Sequence, residues 1–239
     1  MRRCVMLYSY CLLEGGDDVL TAAGLVKRYG RTAVLEGASL TCERGQAVCL
    51  AGANAAGKTT LLTIAAGLQK PDAGKVSCDG TIGYVPQELS LLTDLSVRDN
   101  LLLWYAAAGR PAREVFSQNA LETQLGLSPY ARRTVRKLSG GLKKRAEIAC
   151  ALVRRPAYLL MDEPFNGLDL ASREEIVQLL CRLKSEGAGL LFSSHDPHQI
   201  AASADSVILL KDHQTLAPQK LEGDLSARTA QVITLLSRA

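Results

Sequence analysis

The sequence contains no apolar run long enough to span a membrane. A transmembrane helix needs about 20 consecutive apolar residues, whereas the runs here are much shorter, such as residues 101–108. We therefore expect a chain that does not itself cross the bilayer. Its 239 residues predict one domain, or one domain with an inserted subdomain, large enough to bury a core without disulfides or metal.

Aromatic residues and paired cysteines are also scarce. Aromatic side chains make up 5% of the chain, and none of the seven cysteines has a partner at CxxC spacing. An odd number of scattered cysteines fits a reducing cytoplasm and does not favour a disulfide framework or a structural metal site. Disorder is excluded because 47% of the residues are hydrophobic and the charges are mixed.

The formal net charge is only +4, but the charge is unevenly distributed. Residues 110–155, called the basic block below, contain 11 lysines and arginines against three acidic residues. The block therefore carries +8, and the rest of the chain carries −4. Such a block could face nucleic acid, lipid headgroups or an acidic partner, or it could be a solvated helical face.

The first 18 residues differ from the rest of the chain. Arg2 and Arg3 precede an apolar stretch, residues 4–13, that superficially resembles a secretion signal. The residues that follow it, 14–18, do not form the small-residue cleavage site that such a signal needs. We therefore expect residues 1–18 to be a loosely ordered extension and the domain to occupy residues 19–239.

Strand-like and helix-like patterns alternate along the domain. Short apolar or alternating runs predict strands over residues 19–26, 33–42, 46–51, 75–77, 81–85, 158–161, 189–193 and 206–210. Helical patterns lie at residues 58–66, 97–108, 112–125, 140–154 and 171–186. Ser172 and Glu175 fit a capping box at the start of the last helix. The alternation predicts an α/β fold with a mainly parallel central sheet.

A glycine-rich loop lies between a predicted buried strand and a predicted helix. Its sequence, Gly52-Ala-Asn-Ala-Ala-Gly57-Lys58-Thr59, matches the phosphate-binding pattern GxxxxGK[ST]. Small residues let backbone N–H groups surround the phosphates, and the helix N-terminus adds positive potential. Lys58 would then reach the β- and γ-phosphates of a nucleotide, and the Thr59 hydroxyl would ligate Mg²⁺.

One position of this loop departs from similar loops, which usually have glycine where this chain has Ala55. If the backbone at this position needs a positive φ, alanine costs about 1–2 kcal/mol. We still expect the loop to bind ATP, with weaker binding or slower turnover as the consequence.

Two acids directly follow a predicted apolar strand, in the run Tyr158-Leu-Leu-Met-Asp162-Glu163. Ligands bind at the carboxyl ends of the strands in open α/β sheets, and successive strand residues point in opposite directions. We therefore expect Asp162 to support Mg²⁺ and Glu163 to act as the general base that polarises the attacking water.

Together these motifs resemble the nucleotide-binding subunit of ATP-binding cassette (ABC) transporters. The segment Leu138-Ser-Gly-Gly141 is similar to the signature of that family, and the motifs follow the family order over nearly the whole chain from residue 19. The resemblance implies a P-loop NTPase core, an N-terminal antiparallel β subdomain and an inserted α-helical subdomain at residues 88–137. It also implies ATP hydrolysis with Mg²⁺ as cofactor.

The resemblance also assigns roles to individual residues. The residues that it places around ATP are Tyr29, Gly52, Asn54, Ala55, Ala56, Gly57, Lys58, Thr59, Thr60, Ser139, Gly140 and Gly141. Tyr29 is similar to the aromatic residue that stacks on adenine. The three signature residues at 139–141 are similar to those that contact the γ-phosphate held by the opposite subunit.

Catalysis and metal binding are implied for a second set of residues. The implied catalytic residues are Glu163, His195 and Gln87, and the implied metal-binding residues are Thr59, Gln87 and Asp162. Gln87 is similar to the glutamine that senses Mg²⁺ and the attacking water, and His195 to the switch histidine that holds the γ-phosphate. The segment Asn166-Gly-Leu-Asp169 is similar to one that communicates across the dimer. Asp169 equally fits a helix N-cap.

The partners follow from the same resemblance. It implies a second ATP-binding cassette and a transmembrane permease, so that the chain works in the cytoplasm at the inner face of the cell membrane, and it implies no nucleic acid partner. The run Leu142-Lys-Lys-Arg145 is similar to variants of export-type systems, which favours an exporter. The basic block then falls on the helical subdomain and signature helix, beside the permease.

Two other functions stay open at this point. A soluble ABC ATPase acting on ribosomes or DNA would account for the basic block, but proteins of that kind usually carry two cassettes or long insertions. A degenerate cassette that binds ATP without efficient hydrolysis is favoured by Ala55, whereas Glu163 and His195 oppose it.

Overall fold

A computed structural model describes residues 19–237, so the expectation for residues 1–18 lies outside the described part of the chain. The strands are β1 (Val19–Tyr29), β2 (Thr32–Glu43), β3 (Ala47–Ala51), β4 (Ala73–Ser77), β5 (Ile82–Val85), β6 (Tyr158–Met161), β7 (Gly189–Ser193), β8 (Ser206–Lys211), β9 (Gln214–Thr215) and β10 (Gln219–Lys220). The helices are α1 (Lys58–Ala65), α2 (Val97–Ala107), α3 (Leu121–Gln124), α4 (Gly140–Leu152), α5 (Leu170–Ser185), α6 (Pro197–Ser203) and α7 (Leu225–Leu236).

Two sheets form the framework of the fold. The smaller is antiparallel, with strand order β2-β1-β4. The larger has the order β10-β8-β3-β7-β6-β5, and all neighbours from β8 to β5 are parallel. The fold is therefore α/β with a mainly parallel central sheet and an N-terminal antiparallel β unit, which confirms the predicted class.

The central strands are apolar throughout because both faces of the sheet are covered. In β3, Cys49 faces one buried cluster, with helices α4 and α5, and Val48 and Leu50 face a second cluster, with α1 and the small sheet. The strands β6 and β7 divide their residues in the same alternating way. A continuous apolar run in the sequence thus indicated a buried parallel strand correctly.

The prediction of a single helix over residues 112–125 is wrong. A 3-10 turn covers Ala112–Glu114, and α3 does not begin until Leu121. Between them, Phe116 adopts a positive φ of 61° and ends the helical path. The buried Glu122 carboxylate accepts hydrogen bonds from the Phe116 N–H at 2.9 Å and from the Tyr105 hydroxyl at 3.1 Å. Tertiary contacts to one buried carboxylate therefore outweigh the helical pattern.

The predicted capping box at Ser172 and Glu175 is also wrong, because α5 begins earlier, at Leu170. Asp169 is the N-cap, and its carboxylate accepts the Ser172 N–H at 2.8 Å. This hydrogen bond lowers the pKa of Asp169 below its ordinary value. Glu175 instead pairs with Arg145 at 3.3 Å, so it has no capping role.

The basic block does not form one uniform charged face. Four of its side chains pair with carboxylates of the same chain: Arg110 with Glu114, Arg136 with Asp94, Lys144 with Glu147 and Arg145 with Glu175. Glu114 and Glu147 are already counted in the +8, so the block's charge is compensated in part by Asp94 and Glu175, which lie outside it. Among residues 19–237, no helix combines the length and apolar character needed to cross a membrane.

Candidate functional site

The functional loops meet at one edge of the central sheet. The strands β3, β5, β6 and β7 are parallel, so the segments that follow their carboxyl ends lie together. They enclose a cavity of about 510 Å³. Its walls are Val34, Asn54, Ala55, Gly57, Lys58, Thr59, Thr60, Gln87, Asp162, Glu163, Asn166 and His195. Ten of these twelve residues were predicted from the sequence to belong to a nucleotide site.

The glycine-rich loop leads from β3 directly into α1. Gly57 is the N-cap of α1 and supplies no side-chain cap, so the N–H groups of the first turn stay available to a ligand. Its φ is 108°, and a Cβ at this position would lie 2.9 Å from Val34 Cγ1. Glycine is thus required here both by backbone conformation and by close packing.

The Lys58 ammonium is buried beside this helix start. It donates to the Gly52 carbonyl at 2.8 Å and to the Ala53 carbonyl at 3.0 Å. Within residues 19–237 it has no carboxylate partner, although its residue is only 7% exposed. A buried cation without a counterion is costly, and a bound phosphate would supply the missing negative charge.

Ala55 adopts a positive φ of 62°. This is the condition under which the sequence predicted an energetic cost for alanine at this position. For a residue with a Cβ, the left-handed region costs about 1–2 kcal/mol. The loop therefore holds strain at the position where similar loops have glycine.

Replacing Ala55 with glycine should stabilise the nucleotide-free protein. Relief of about 1–2 kcal/mol of strain is partly offset by about 0.4–1 kcal/mol of added unfolded-state entropy, which leaves about 0.5–1 kcal/mol. Urea unfolding without nucleotide measures this difference. Ala53→Gly is the matched control, because Ala53 has no positive φ and should lose stability. A loss for both variants would show that Ala55 is not strained.

A line of hydrogen-bonded side chains runs along the cavity wall and through the buried Ser193. Thr59 donates its hydroxyl to Asp162 Oδ2 at 2.6 Å, and Ser193 donates to the other oxygen, Oδ1, at 2.6 Å. The Ser193 oxygen also accepts the Glu163 N–H at 2.8 Å. Ser193 therefore fixes the positions of both acids, which follow each other at the end of β6.

Glu163 and His195 form the far end of this line. His195 Nδ1 lies 3.2 Å from both oxygens of the Glu163 carboxylate. The Glu163 backbone adopts a positive φ of 47°, which is uncommon outside glycine and places its carboxylate at the cavity wall. The Glu163 side chain is 11% exposed and the His195 ring is 62% exposed, so the histidine is the open side of the pair.

The donor set beside Lys58 fits a hard divalent cation. Thr59 offers a hydroxyl and Asp162 a carboxylate, and their oxygens are only 2.6 Å apart. Mg²⁺ in nucleotide sites is typically held by one or two protein oxygens together with substrate phosphates and water. Gln87, on the loop after β5, lies at the same cavity wall.

Six of the predicted nucleotide contacts lie outside the walls of this cavity: Tyr29, Gly52, Ala56, Ser139, Gly140 and Gly141. Gly52 and Ala56 are residues of the glycine-rich loop, whose expected contacts to phosphate come from its backbone. Tyr29 ends β1, is half-exposed, and accepts a hydrogen bond from Gln69 Nε2 at 2.6 Å. The three signature residues open α4, away from the cavity of their own chain.

The signature segment combines an exposed residue, Ser139, with a closely packed one, Gly141. Ser139 is the N-cap of α4 and accepts the Leu142 N–H at 3.3 Å, while its residue is exposed. A Cβ on Gly141 would collide with the Ser172 side chain at the start of α5. Glycine at 141 therefore lets α4 and α5 approach, a role that sequence reasoning did not identify.

Sequence reasoning also missed Ser193, Val34 and Asn166 as parts of the site. Ser193 was visible only as the last residue of an apolar strand, and its bonds to the two acids depend on the neighbouring strand. Val34 comes from the small sheet, and no local pattern points to it. Asn166 lies in the segment assigned to dimer communication, and in this chain it also lines the cavity.

Comparison with known proteins gives the same family throughout. Residues 35–166 match the family described as ABC transporter. A zinc import ATP-binding protein of Paramagnetospirillum magneticum is 38% identical over 200 residues, covering 82% of this chain and 75% of its own. A Nod factor export ATP-binding protein of Ralstonia nicotianae is 34% identical over 224 residues, which cover 86% of this chain and 68% of that protein.

A solved structure shares the fold. An ATP-binding cassette of an ABC transporter, crystallised in its ADP conformation, superposes with a TM-score of 0.77 at 23% identity, over 90% of this chain and 98% of the other. At that identity the likeness supports the fold alone. The sequence matches lead to one conclusion: this chain belongs to the ABC transporter family, as one of its ATP-binding subunits that hydrolyse ATP.

Proposed function

We propose that this chain binds ATP with Mg²⁺ in the 510 Å³ cavity and hydrolyses it there to drive a membrane transporter. The observation that carries the site assignment is the buried Lys58 ammonium. In the part of the chain that the structure describes, it has only carbonyl partners, and it lies beside the Thr59–Asp162 pair. A cation without a counterion next to a hard-metal donor set matches the phosphates and the metal of a nucleotide.

Each group has a distinct part in this proposal. The N–H groups of the loop and of the first turn of α1 bind the phosphates, and Lys58 stabilises their negative charge. Thr59 and Asp162 hold Mg²⁺, which when bound neutralises charge on the phosphate oxygens. Ser193 keeps Asp162 and Glu163 in place through its two hydrogen bonds.

Glu163 accepts the proton of the attacking water in this scheme. Its position against His195 keeps the carboxylate oriented, because both oxygens lie 3.2 Å from Nδ1. His195 is exposed enough to contact the terminal phosphate, and Gln87 contributes to the same wall. Tyr29 stacks on adenine from the edge of the small sheet.

A second copy of the chain completes the site. Ser139 and the signature glycines lie outside the cavity of their own chain, and Ser139 is exposed at a helix start, where backbone N–H groups favour phosphate. Two copies related by a two-fold axis would each present this helix start to the nucleotide of the other. Hydrolysis is then coupled to opening and closing of the pair.

The wider assembly follows from the same proposal. Residues 19–239 act as the nucleotide-binding domain, with residues 88–137 as the helical subdomain that meets a transmembrane permease at the inner face of the membrane. We propose export as the direction. The run at residues 142–145 supports this choice, whereas the relatives include one named for import and one named for export. A permease that copurifies with an extracytoplasmic substrate-binding protein would contradict it.

Release of phosphate from ATP by the purified full chain tests the site. We expect steady-state release that is lost when Mg²⁺ is chelated. Lys58→Ala should weaken ATP binding at least about tenfold, since a hydrogen bond to a charged group contributes about 1.5–3 kcal/mol. Lys220→Ala, at an exposed lysine of β10, is the matched control and should bind normally. Failure of ATP and of a non-hydrolysable analogue to raise the melting temperature would contradict the assignment.

A further inference from the structure

An ion pair is buried inside α4, the helix that begins at the signature. Lys144 Nζ lies 2.9 Å from Glu147 Oε2, and their side chains are 7% and 1% exposed. Buried pairs contribute little net stability, because desolvation offsets the attraction between the charges, and well-packed apolar residues are often at least as stabilising. Stability alone therefore does not explain why a lysine and a glutamate occupy these positions.

Both members of the pair also hold the loop that carries Gln87. Lys144 Nζ donates to the Pro86 carbonyl at 3.3 Å. The second oxygen of Glu147, Oε1, accepts the Ser90 N–H at 2.7 Å and the Ser90 hydroxyl at 2.9 Å. Pro86 precedes Gln87, and Ser90 follows it by three residues, so the pair fixes the loop on both sides of the glutamine.

The same helix thus connects two parts of the proposed machinery. Its N-terminus, capped by Ser139, is the part that would face the other copy. Its Lys144 and Glu147, one and two turns further along, hold the loop whose Gln87 lines the nucleotide cavity of this chain. A displacement of α4 would therefore be passed to Gln87 through two hydrogen-bonded contacts.

We propose that Lys144 and Glu147 are positioning residues that tie the Gln87 loop to the signature helix, so that Gln87 is held for catalysis only while α4 is in its own correct position. The inference rests on the proposed role of Gln87 in hydrolysis. It assigns to the pair an effect on turnover and none on the affinity of ATP.

The double replacement Lys144→Met with Glu147→Leu separates positioning from stability. We expect the melting temperature to be kept or raised, because the buried charges are replaced by apolar side chains and the exposed loop can bond to water. We expect kcat for ATP to fall about tenfold, the size usual for loss of an orienting contact, with KM unchanged. The control is Arg182→Met with Glu186→Leu, which removes an ion pair at the C-terminal end of α5. This double variant should leave kcat unchanged.

A double-mutant cycle with Gln87→Ala shows whether the pair acts through Gln87. In the Gln87→Ala background the pair replacement should lower kcat less than about twofold, because the group that it positions is already absent. If the pair replacement does not fold, Ser90→Pro gives the same test from the loop side. It removes the N–H and hydroxyl that Glu147 accepts and leaves the ion pair intact.

The outcomes distinguish this inference from the proposed function. A wild-type chain that neither binds nor hydrolyses ATP would overturn both. A wild-type chain that hydrolyses ATP, is slowed by Gln87→Ala and keeps its kcat after the pair replacement would overturn the positioning role alone. Equal losses of kcat in both backgrounds of the cycle would also overturn it, since the pair would then act independently of Gln87.

Discussion

Glu163→Gln should reduce ATP turnover by at least about 100-fold, the lower range of general-base catalysis, while ATP stays bound. Glutamine has the shape of the glutamate and leaves the Glu163 N–H bond to Ser193 untouched. It cannot accept a proton from the attacking water. The Thr59–Asp162 pair and the Lys58 ammonium are unchanged, so the affinity for ATP should stay close to that of the wild type.

Single-turnover and steady-state phosphate release, with ATP affinity measured in parallel, check this prediction. The matched control is Glu174→Gln, the same chemical change on the exposed face of α5. It should hydrolyse ATP at the wild-type rate. Steady-state hydrolysis that is unchanged in Glu163→Gln would eliminate Glu163 as the base, and a parallel loss of ATP binding would show a structural defect instead.

Ser139→Asp should abolish most hydrolysis although Ser139 does not line the cavity of its own chain. Aspartate is as good an N-cap as serine, so the start of α4 is preserved. Its negative charge would face the terminal phosphate held by the other copy. Two like charges about 4 Å apart repel by about 4 kcal/mol at a protein surface, which corresponds to a loss of at least about 100-fold in turnover.

Ser139→Asn is the control for this charge effect. Asparagine caps the helix equally well but is neutral, so it should lose much less activity than the aspartate variant. Melting temperatures of the two variants should agree. Equal activities of the aspartate and asparagine variants would show that no phosphate approaches Ser139, and the proposed pairing of two copies would then lose its main support.

Much of the site could be predicted because its motifs are local. The loop at residues 52–59 and the acids at 162–163 each follow an apolar strand, and parallel strands bring their carboxyl ends together. The sequence could predict strain at Ala55 only on the condition that its φ is positive. The φ of 62° meets that condition. Local chemistry and strand order thus gave most of the cavity wall.

What could not be predicted depends on contacts between distant residues. The bonds of Ser193 to Asp162 and Glu163 join residues 31 and 30 positions apart in sequence, and nothing near Ser193 indicates them. The break in residues 112–125 follows from the buried Glu122, whose partners lie on other segments. The cap of α5 was misplaced because Asp169 and Ser172 both fit the capping pattern, and only the geometry distinguishes them.

Mixing the two inactive variants tests the central claim, a catalytic site shared between two copies, most directly. In a Ser139→Asp with Glu163→Gln heterodimer, one site combines the intact Glu163 of one copy with the intact Ser139 of the other. Random pairing makes half of the dimers mixed, each with one working site of two, so an equal mixture should recover about a quarter of wild-type phosphate release. A mixture no more active than either variant alone would contradict the shared site.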